Sequence, residues 1–235
     1  MTSNPIPRLV IVSPCYNEEA ILAYSARELT QLLECLISSH KILPTSHVLY
    51  VNDGSRDRTW EMIEGLHQEN TFIDGLCLAG NVGSELAVMA GLMTAKEEAD
   101  VVVSIDADLQ DDLGAIEEMI DCYLEGYDIV YGVKKSRQAD PFLKRTTAQA
   151  FYRLQQSMGI RMVYNHTNFR LMSRRALEAL SRYPERNLYL RGIIPMLGYP
   201  STTVDDIIRE RVAGQSKYNY RKLLFLAVDG ITSFT

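Results

Sequence analysis

Five short apolar runs, each followed by a segment of helical periodicity, constrain this chain more than any other feature. Arg8–Ser13, Val48–Val51, Phe72–Leu78, residues 101–105 and Asp128–Val133 are too short for helices and rich in Val and Ile. Between them, Glu18–Ser38 carries Ile21, Leu29, Leu32, Leu33 and Leu36 at helical spacing. Thr59–Leu66 reads as a short helix, Ser84–Ala95 places Leu86, Met89, Ala90 and Met93 on one face, and a further helix lies near 113–124. Repeated strand–helix units of this kind specify an α/β fold with a mostly parallel central sheet, flanked by helices and joined by right-handed crossovers. Strands that are apolar throughout are covered on both faces. The chain of 235 residues is 46% hydrophobic, enough for a real core. No linker divides it, so residues 1–235 are expected to form one domain.

The second half is less regular. Pro141–Met158 reads as a helix with Phe142, Ala148, Phe151, Tyr152 and Leu154 on its apolar side. Thr167–Met172 reads as a strand, and Ser173–Leu180 as a helix capped by Ser173. Val204–Arg211 is expected to be a strand. A loop through Ala213-Gly214-Gln215-Ser216-Lys217 follows, and then an amphipathic segment, 218–235, that suits either a membrane interface or a core. The net charge of −6 hides an asymmetry: residues 1–133 carry 6 basic and 23 acidic side chains, residues 134–222 carry 18 and 6. A basic half implies an anionic partner: a phosphorylated substrate, an anionic membrane surface or nucleic acid. Nucleic acid is disfavoured, because no motif interleaves aromatic with basic residues. Cys15, Cys35, Cys77 and Cys122 show no C-x-x-C spacing, so reduced thiols are expected. The start has no apolar core of a secretory signal, and no stretch reaches about 18 apolar residues. His40, His47, His67 and His166 do not cluster at ligand spacing, and Trp60 reads as packing.

The chemistry lies where strands hand over to helices, the edge at which open α/β sheets bind ligands. After the first strand, Pro14-Cys15-Tyr16-Asn17-Glu18 opens a helix. Pro14 stiffens the turn, Tyr16 can pack on a base or ribose, and the backbone N–H groups can face a ligand. After the second, Asn52-Asp53-Gly54-Ser55 offers a carboxylate for ribose or base and a glycine for close approach. After the third, Gly80-Asn81-Val82-Gly83-Ser84 opens another helix. After the fourth comes Asp106-Ala107-Asp108, with Gln110 two residues on. Paired carboxylates there are hard oxygen donors, suited to Mg²⁺ or Mn²⁺ carrying a phosphate. Each turn alone also fits a purely structural role, and it is their recurrence that favours a site.

These four segments, in this order, resemble the inverting glycosyltransferases of family 2 with the GT-A fold, and among them the polyprenyl-phosphate glycosyltransferases. The resemblance extends through Asn168-Phe169-Arg170-Leu171-Met172, Glu185-Arg186-Asn187 with Leu190-Arg191-Gly192, and Ala213-Gly214-Gln215-Ser216-Lys217-Tyr218. It implies a UDP- or GDP-sugar donor across the four turns, in a nucleotide-sugar half (1–133) followed by an acceptor half (134–217). By motif, Pro14, Tyr16, Asn17, Glu18, Asp53, Gly54, Ser55, Asn81, Gly83 and Ser84 would hold the nucleotide. Asp106 and Asp108, with Gln110, would hold Mg²⁺ or Mn²⁺ and the diphosphate. Arg170, Arg211, Ser216 and Lys217 would meet a polyprenyl phosphate acceptor at the cytoplasmic membrane face, with a transmembrane tail beyond this chain and a dimer or tetramer allowed. Three positions depart from the family pattern. Gly80 replaces a usual Arg, Ser84 a frequent Lys, and Asn168 an Asp suspected as catalytic base. Asn cannot take a proton, whereas a lipid monophosphate is already ionised and needs no base. Asn168 is therefore expected to orient the acceptor phosphate. The alternatives are a transferase acting on a polysaccharide hydroxyl and a catalytically impaired nucleotide-sugar binder.

Overall fold

The computed structural model describes residues 5–134, 166–183 and 190–207. Its elements in chain order are β1 (Leu9–Cys15), α1 (Glu19–Ser38), β2 (His47–Asn52), α2 (Thr59–Glu69), β3 (Ile73–Cys77), α3 (Ser84–Ala95), β4 (Val101–Ser104), α4 (Gly114–Leu124), β5 (Ile129–Lys134), β6 (His166–Ser173), α5 (Arg174–Ser181), α6 (Leu190–Met196) and β7 (Ser201–Asp206). The strands form one sheet in the order β3-β2-β1-β4-β6-β5-β7. β6 runs antiparallel to β4 and β5, and the other pairs are parallel.

The two faces of the sheet explain the continuous apolar runs. Leu9, Ile11, Val48, Tyr50, Val101, Val103, Phe169 and Leu171 face the side covered by α1, α2 and α4. Their chain neighbours Val10, Val12, Leu49, Val51, Val102, Tyr131 and Met172 face α3, α5 and α6. The two-residue pleat thus divides each run between two cores. Tyr50 is buried with its hydroxyl 2.9 Å from Ser25 Oγ, so a polar tip in an apolar layer is satisfied.

Two expectations are corrected, and one helix was not expected. The buried face of α3 is Ala87, Val88, Gly91, Leu92 and Ala95, not the Leu86 face, and Leu86 is exposed. The helix is apolar nearly all round, so periodicity cannot choose a side. Close packing does: a Cβ on Gly91 would lie 2.4 Å from Val12 Cγ1, and only a stripe of small residues admits that approach. β7 begins at Ser201 rather than at Val204, because its first half is polar, as an edge strand tolerates. α6 was hidden by Gly192 and by Pro195 inside it, although Leu190, Ile193 and Ile194 are buried. The expected cap is present, with Ser173 Oγ accepting from Ala176 N. The expected helix 141–158, residues 208–211 of the expected strand and the segment 218–235 lie outside the described residues. Among the described residues, no helix is long and apolar enough to cross a membrane.

Candidate active site

The first three strand-to-helix turns are fastened to one another. β1 extends through Pro14 and Cys15, paired to Val51 and Asn52 of β2. Its pairing with β4 runs only from Leu9 to Val12, so the missing N–H of Pro14 costs no ladder bond. Asn17 takes a positive φ of 51°, which Asn tolerates. Its N–H donates to Ser55 Oγ at 3.0 Å, and its Oδ1 accepts from Arg56 N at 2.8 Å. Glu18 N donates to Thr59 Oγ1 at 2.8 Å. Asp57 accepts from Thr59 N and Thr59 Oγ1 one residue before the helical cap position.

Asp53 joins the second turn to the third. It is 3% exposed, and Oδ1 accepts from Val82 N (2.7 Å) while Oδ2 accepts from Gly83 N and Asn81 Nδ2 (3.0 Å each). A carboxylate offers about four acceptor sites, so roughly one remains for a ligand. Gly54, at φ +62°, lets the third turn close over the second: a Cβ there would lie 2.5 Å from Asn81 N and 2.6 Å from Gly80 C. Ser84 begins α3 and is exposed.

The fourth turn opens into the same edge. Ile105 N donates to Val12 O, which carries the β1–β4 ladder up to Asp106. Asp106 is exposed to solvent on one side and enclosed by protein on the others. That enclosure and the charge of Asp108 push its carboxyl above the ordinary range, against the pull of Arg191 and Lys134. A cation would relieve this crowding. Asp108 Oδ1 lies 3.4 Å from Gln110 N, and Leu109 between them has φ +48°, a strained conformation for a bulky residue. Among the described residues no three His, Cys, Asp or Glu side chains converge as a complete metal cage. Two carboxylates do fit a Mg²⁺ or Mn²⁺ whose remaining ligands are phosphate and water.

Residues that the motif reading passed over surround Asp106. Asp111 is 4% exposed; burial, with the like charges of Asp106 and Asp206, pushes its carboxyl up to about 8, although Lys134 Nζ stands 3.7 Å away. Asp206 Oδ1 accepts from Asp112 N at 2.9 Å, which fastens β7 to this turn. Asp111 therefore keeps its proton in the folded protein near neutrality and loses it on unfolding. The folded state binds more protons than the unfolded state from the ordinary Asp range up to about pH 8, so stability falls as pH rises through that window. Asp111→Asn is expected to change the urea midpoint little near pH 4 and to raise stability by about 2–4 kcal/mol at pH 8.

On the reversed strand, Ser104 pairs with Arg170, and continuing that register places Asp106 opposite Asn168. Ser104 Oγ donates to Asn168 O. Arg170 is 1% exposed; Nη2 donates to Asn168 Oδ1 at 2.9 Å, and Nη1 has no hydrogen-bond partner among the described residues. Burial lowers its guanidinium to about 10. Glu85 of α3 and Arg191 of α6 lie in its electrostatic reach, and Glu85 Oε2 accepts from Leu190 N at 3.2 Å. Among the candidates, Pro14, Tyr16, Asn17, Glu18, Asp53, Gly54, Ser55, Asn81, Gly83, Asp106, Asp108 and Gln110 thus stand on turns or strand ends at this edge, Ser84 begins α3, Asn168 lies in the first half of β6, and Arg170 lies inside β6, paired with Ser104 and Tyr131. Arg211, Ser216 and Lys217 lie outside the described residues.

The comparisons with known proteins agree with this architecture. Residues 10–181 match the model of glycosyl transferase family 2. YkoT of Bacillus subtilis, an uncharacterized glycosyltransferase, is 50% identical over 229 residues, which cover 97% of this chain and 68% of YkoT. The bactoprenol glucosyl transferase of Shigella phage SfV is 35% identical over 229 residues, covering 97% of this chain and 72% of the phage protein. In fold, the chain is similar to the glucosyl-3-phosphoglycerate synthase of Mycobacterium tuberculosis, with a TM-score of 0.67 at 15% identity, covering 97% of this chain and 79% of that one. A parallel sheet with one reversed strand, and carboxylates opening at the end of its fourth strand, is thus the GT-A arrangement, and the chain belongs to glycosyl transferase family 2.

Proposed function

We propose that this glycosyltransferase moves a hexose from a nucleotide-diphospho-sugar, UDP-sugar first among candidates, to a polyprenyl phosphate, with inversion, at the cytoplasmic face of a membrane. The observation that carries the reading is the place of Asn168 on β6, two residues beyond the Ser104–Arg170 pair and so beside the end of β4 that leads into Asp106: a residue that cannot act as a base stands where the carboxylates open. An ionised phosphate acceptor needs no base, whereas a sugar hydroxyl does. The name of the phage relative, a bactoprenol glucosyl transferase, supports the same acceptor.

The nucleotide lies along the fastened turns, with Tyr16 against the base or ribose and the last acceptor site of Asp53 toward it. Asp106 and Asp108, with Gln110, hold Mg²⁺ or Mn²⁺, which when bound offsets the charge of the departing diphosphate. Arg211, Ser216 and Lys217 bring cationic and hydroxyl groups to phosphate, and the basic half favours an anionic surface. An acceptor phosphate oxygen attacks the anomeric carbon from the side opposite the diphosphate. The new C–O bond forms as the old one breaks, and the electron pair leaves with the nucleotide. No proton moves.

Thermal unfolding with UDP, GDP and dTDP, each with and without Mn²⁺, followed by transfer from the preferred nucleotide sugar to a short polyprenyl phosphate, tests this reading. A metal-dependent rise in Tm with one nucleotide, and transfer with inverted configuration, is the expected result. Stability unchanged by every nucleotide would overturn it.

A further inference from the structure

Asn168 and Arg170 project from the same face of β6, one pleat apart. Arg170 reaches back along the strand. Nη2 donates to Asn168 Oδ1 at 2.9 Å, and a longer contact joins its Nε to the Asn168 carbonyl at 3.4 Å. A guanidinium has donors only, so the amide must offer it the oxygen. The amide orientation is therefore fixed by chemistry, and the NH₂ end is the one not engaged by Arg170. Asn168 is 6% exposed and Arg170 1%, so neither has room to re-form this contact through solvent. The Asn168 carbonyl is held by Ser104 Oγ as well, which fixes the backbone beneath the amide. Glu85 and Arg191 extend the cluster from α3 and α6, and Arg191 Nε, like Arg170 Nη1, has no hydrogen-bond partner among the described residues.

We propose that Arg170 is a positioning residue: it locks the Asn168 amide with both N–H donors facing the reacting edge, so that position 168 accepts an ionised phosphate oxygen and discriminates against a neutral hydroxyl. The inference rests on the phosphate-acceptor reading and names what selects that acceptor. A hydroxyl nucleophile must lose a proton, and an amide held donor-outward offers it no acceptor. A phosphate oxygen brings only lone pairs, and both donors suit it. Arg170 itself stays enclosed and acts through Asn168 rather than by touching the acceptor.

The test is a mutant cycle read by kcat/KM for farnesyl phosphate across pH 5–8.5, using the full chain and its preferred nucleotide sugar. The wild-type profile should follow the second ionisation of the acceptor phosphate, near pH 6, and stay flat above it. Asn168→Ala and Arg170→Met should each lower kcat/KM by about 10–100-fold, as expected for losing hydrogen bonds to a charged group. The double variant should lose no more than the worse single, and Arg170→Lys should recover part of the loss. Asn168→Asp, which keeps the shape but removes the donors, should lose more as pH rises. Additive losses in the double variant, full activity of Arg170→Met, or a gain by Asn168→Asp would overturn the inference. Should Arg170→Met not fold, the side-chain ¹⁵N amide signal of Asn168 in the wild type, assigned by its loss in Asn168→Ala, decides. It should shift on titration with farnesyl phosphate, and an unmoved signal overturns the inference. Wild-type protein that transfers nothing to farnesyl phosphate overturns the acceptor reading and the inference together. Transfer with additive losses overturns the inference alone.

Discussion

Asp106→Asn is expected to lower sugar transfer by about 10²–10³-fold, the usual cost of removing a group that stabilises charge in a transition state, while leaving the fold intact. The two effects separate for a physical reason. Asp106 sits where surrounding protein and Asp108 disfavour its charge, and these outweigh the pull of Arg191 and Lys134, so neutralising it relieves more repulsion than it removes attraction. A variant with wild-type or slightly higher Tm, much reduced kcat and a weakened response to Mn²⁺ is the predicted pattern. Near-full activity would take this carboxylate out of the site. A fall in Tm would mean that the charge supports the fold.

Gly54→Ala is expected to produce the largest loss of stability from a single methyl group at this edge, about 2–4 kcal/mol. Two penalties coincide there. The backbone is left-handed, and the added Cβ would meet main-chain atoms of Gly80 and Asn81 at 2.5–2.6 Å, which cannot rotate away. The third turn must move, and with it the amides of Val82 and Gly83 that hold Asp53. Urea unfolding should show a lower midpoint at unchanged slope, and nucleotide affinity should fall alongside. Gly65, where an added Cβ meets nothing within 4 Å, is the control, and Gly65→Ala should leave both measurements near wild type.

The strands of the first half were readable because a strand covered on both faces has few polar positions, and Val101–Val103 or Val48–Val51 stand out as blocks. The carboxylates after β4 and the glycines of the turns were equally visible, since their chemistry and backbone freedom are local. What escaped the reading depends on partners far along the chain. The packed side of α3 is chosen by Val12 and Val51, not by its own period. The first half of β7 is polar because it lies on a sheet edge. Asp111 is an ordinary acidic residue in sequence, and it becomes unusual only when Asp206, about 95 positions later, is brought against it. The same holds for the bond from Arg170 to Asn168. Two residues apart on a strand, they meet because β6 is clamped between β4 and β5 with its polar face closed.

The lacing of the first three turns has a consequence for association. Asn17 with Ser55 and Arg56, and Asp53 with Val82 and Gly83, are tied by bonds that exist before anything binds. Loops at a ligand edge usually surrender conformational entropy when they close on their guest, and that loss subtracts from affinity. Here the loss is already taken during folding, and in the proposed function the shelf meets an incoming nucleotide as a preorganised surface whose recognition power lies in its rigidity.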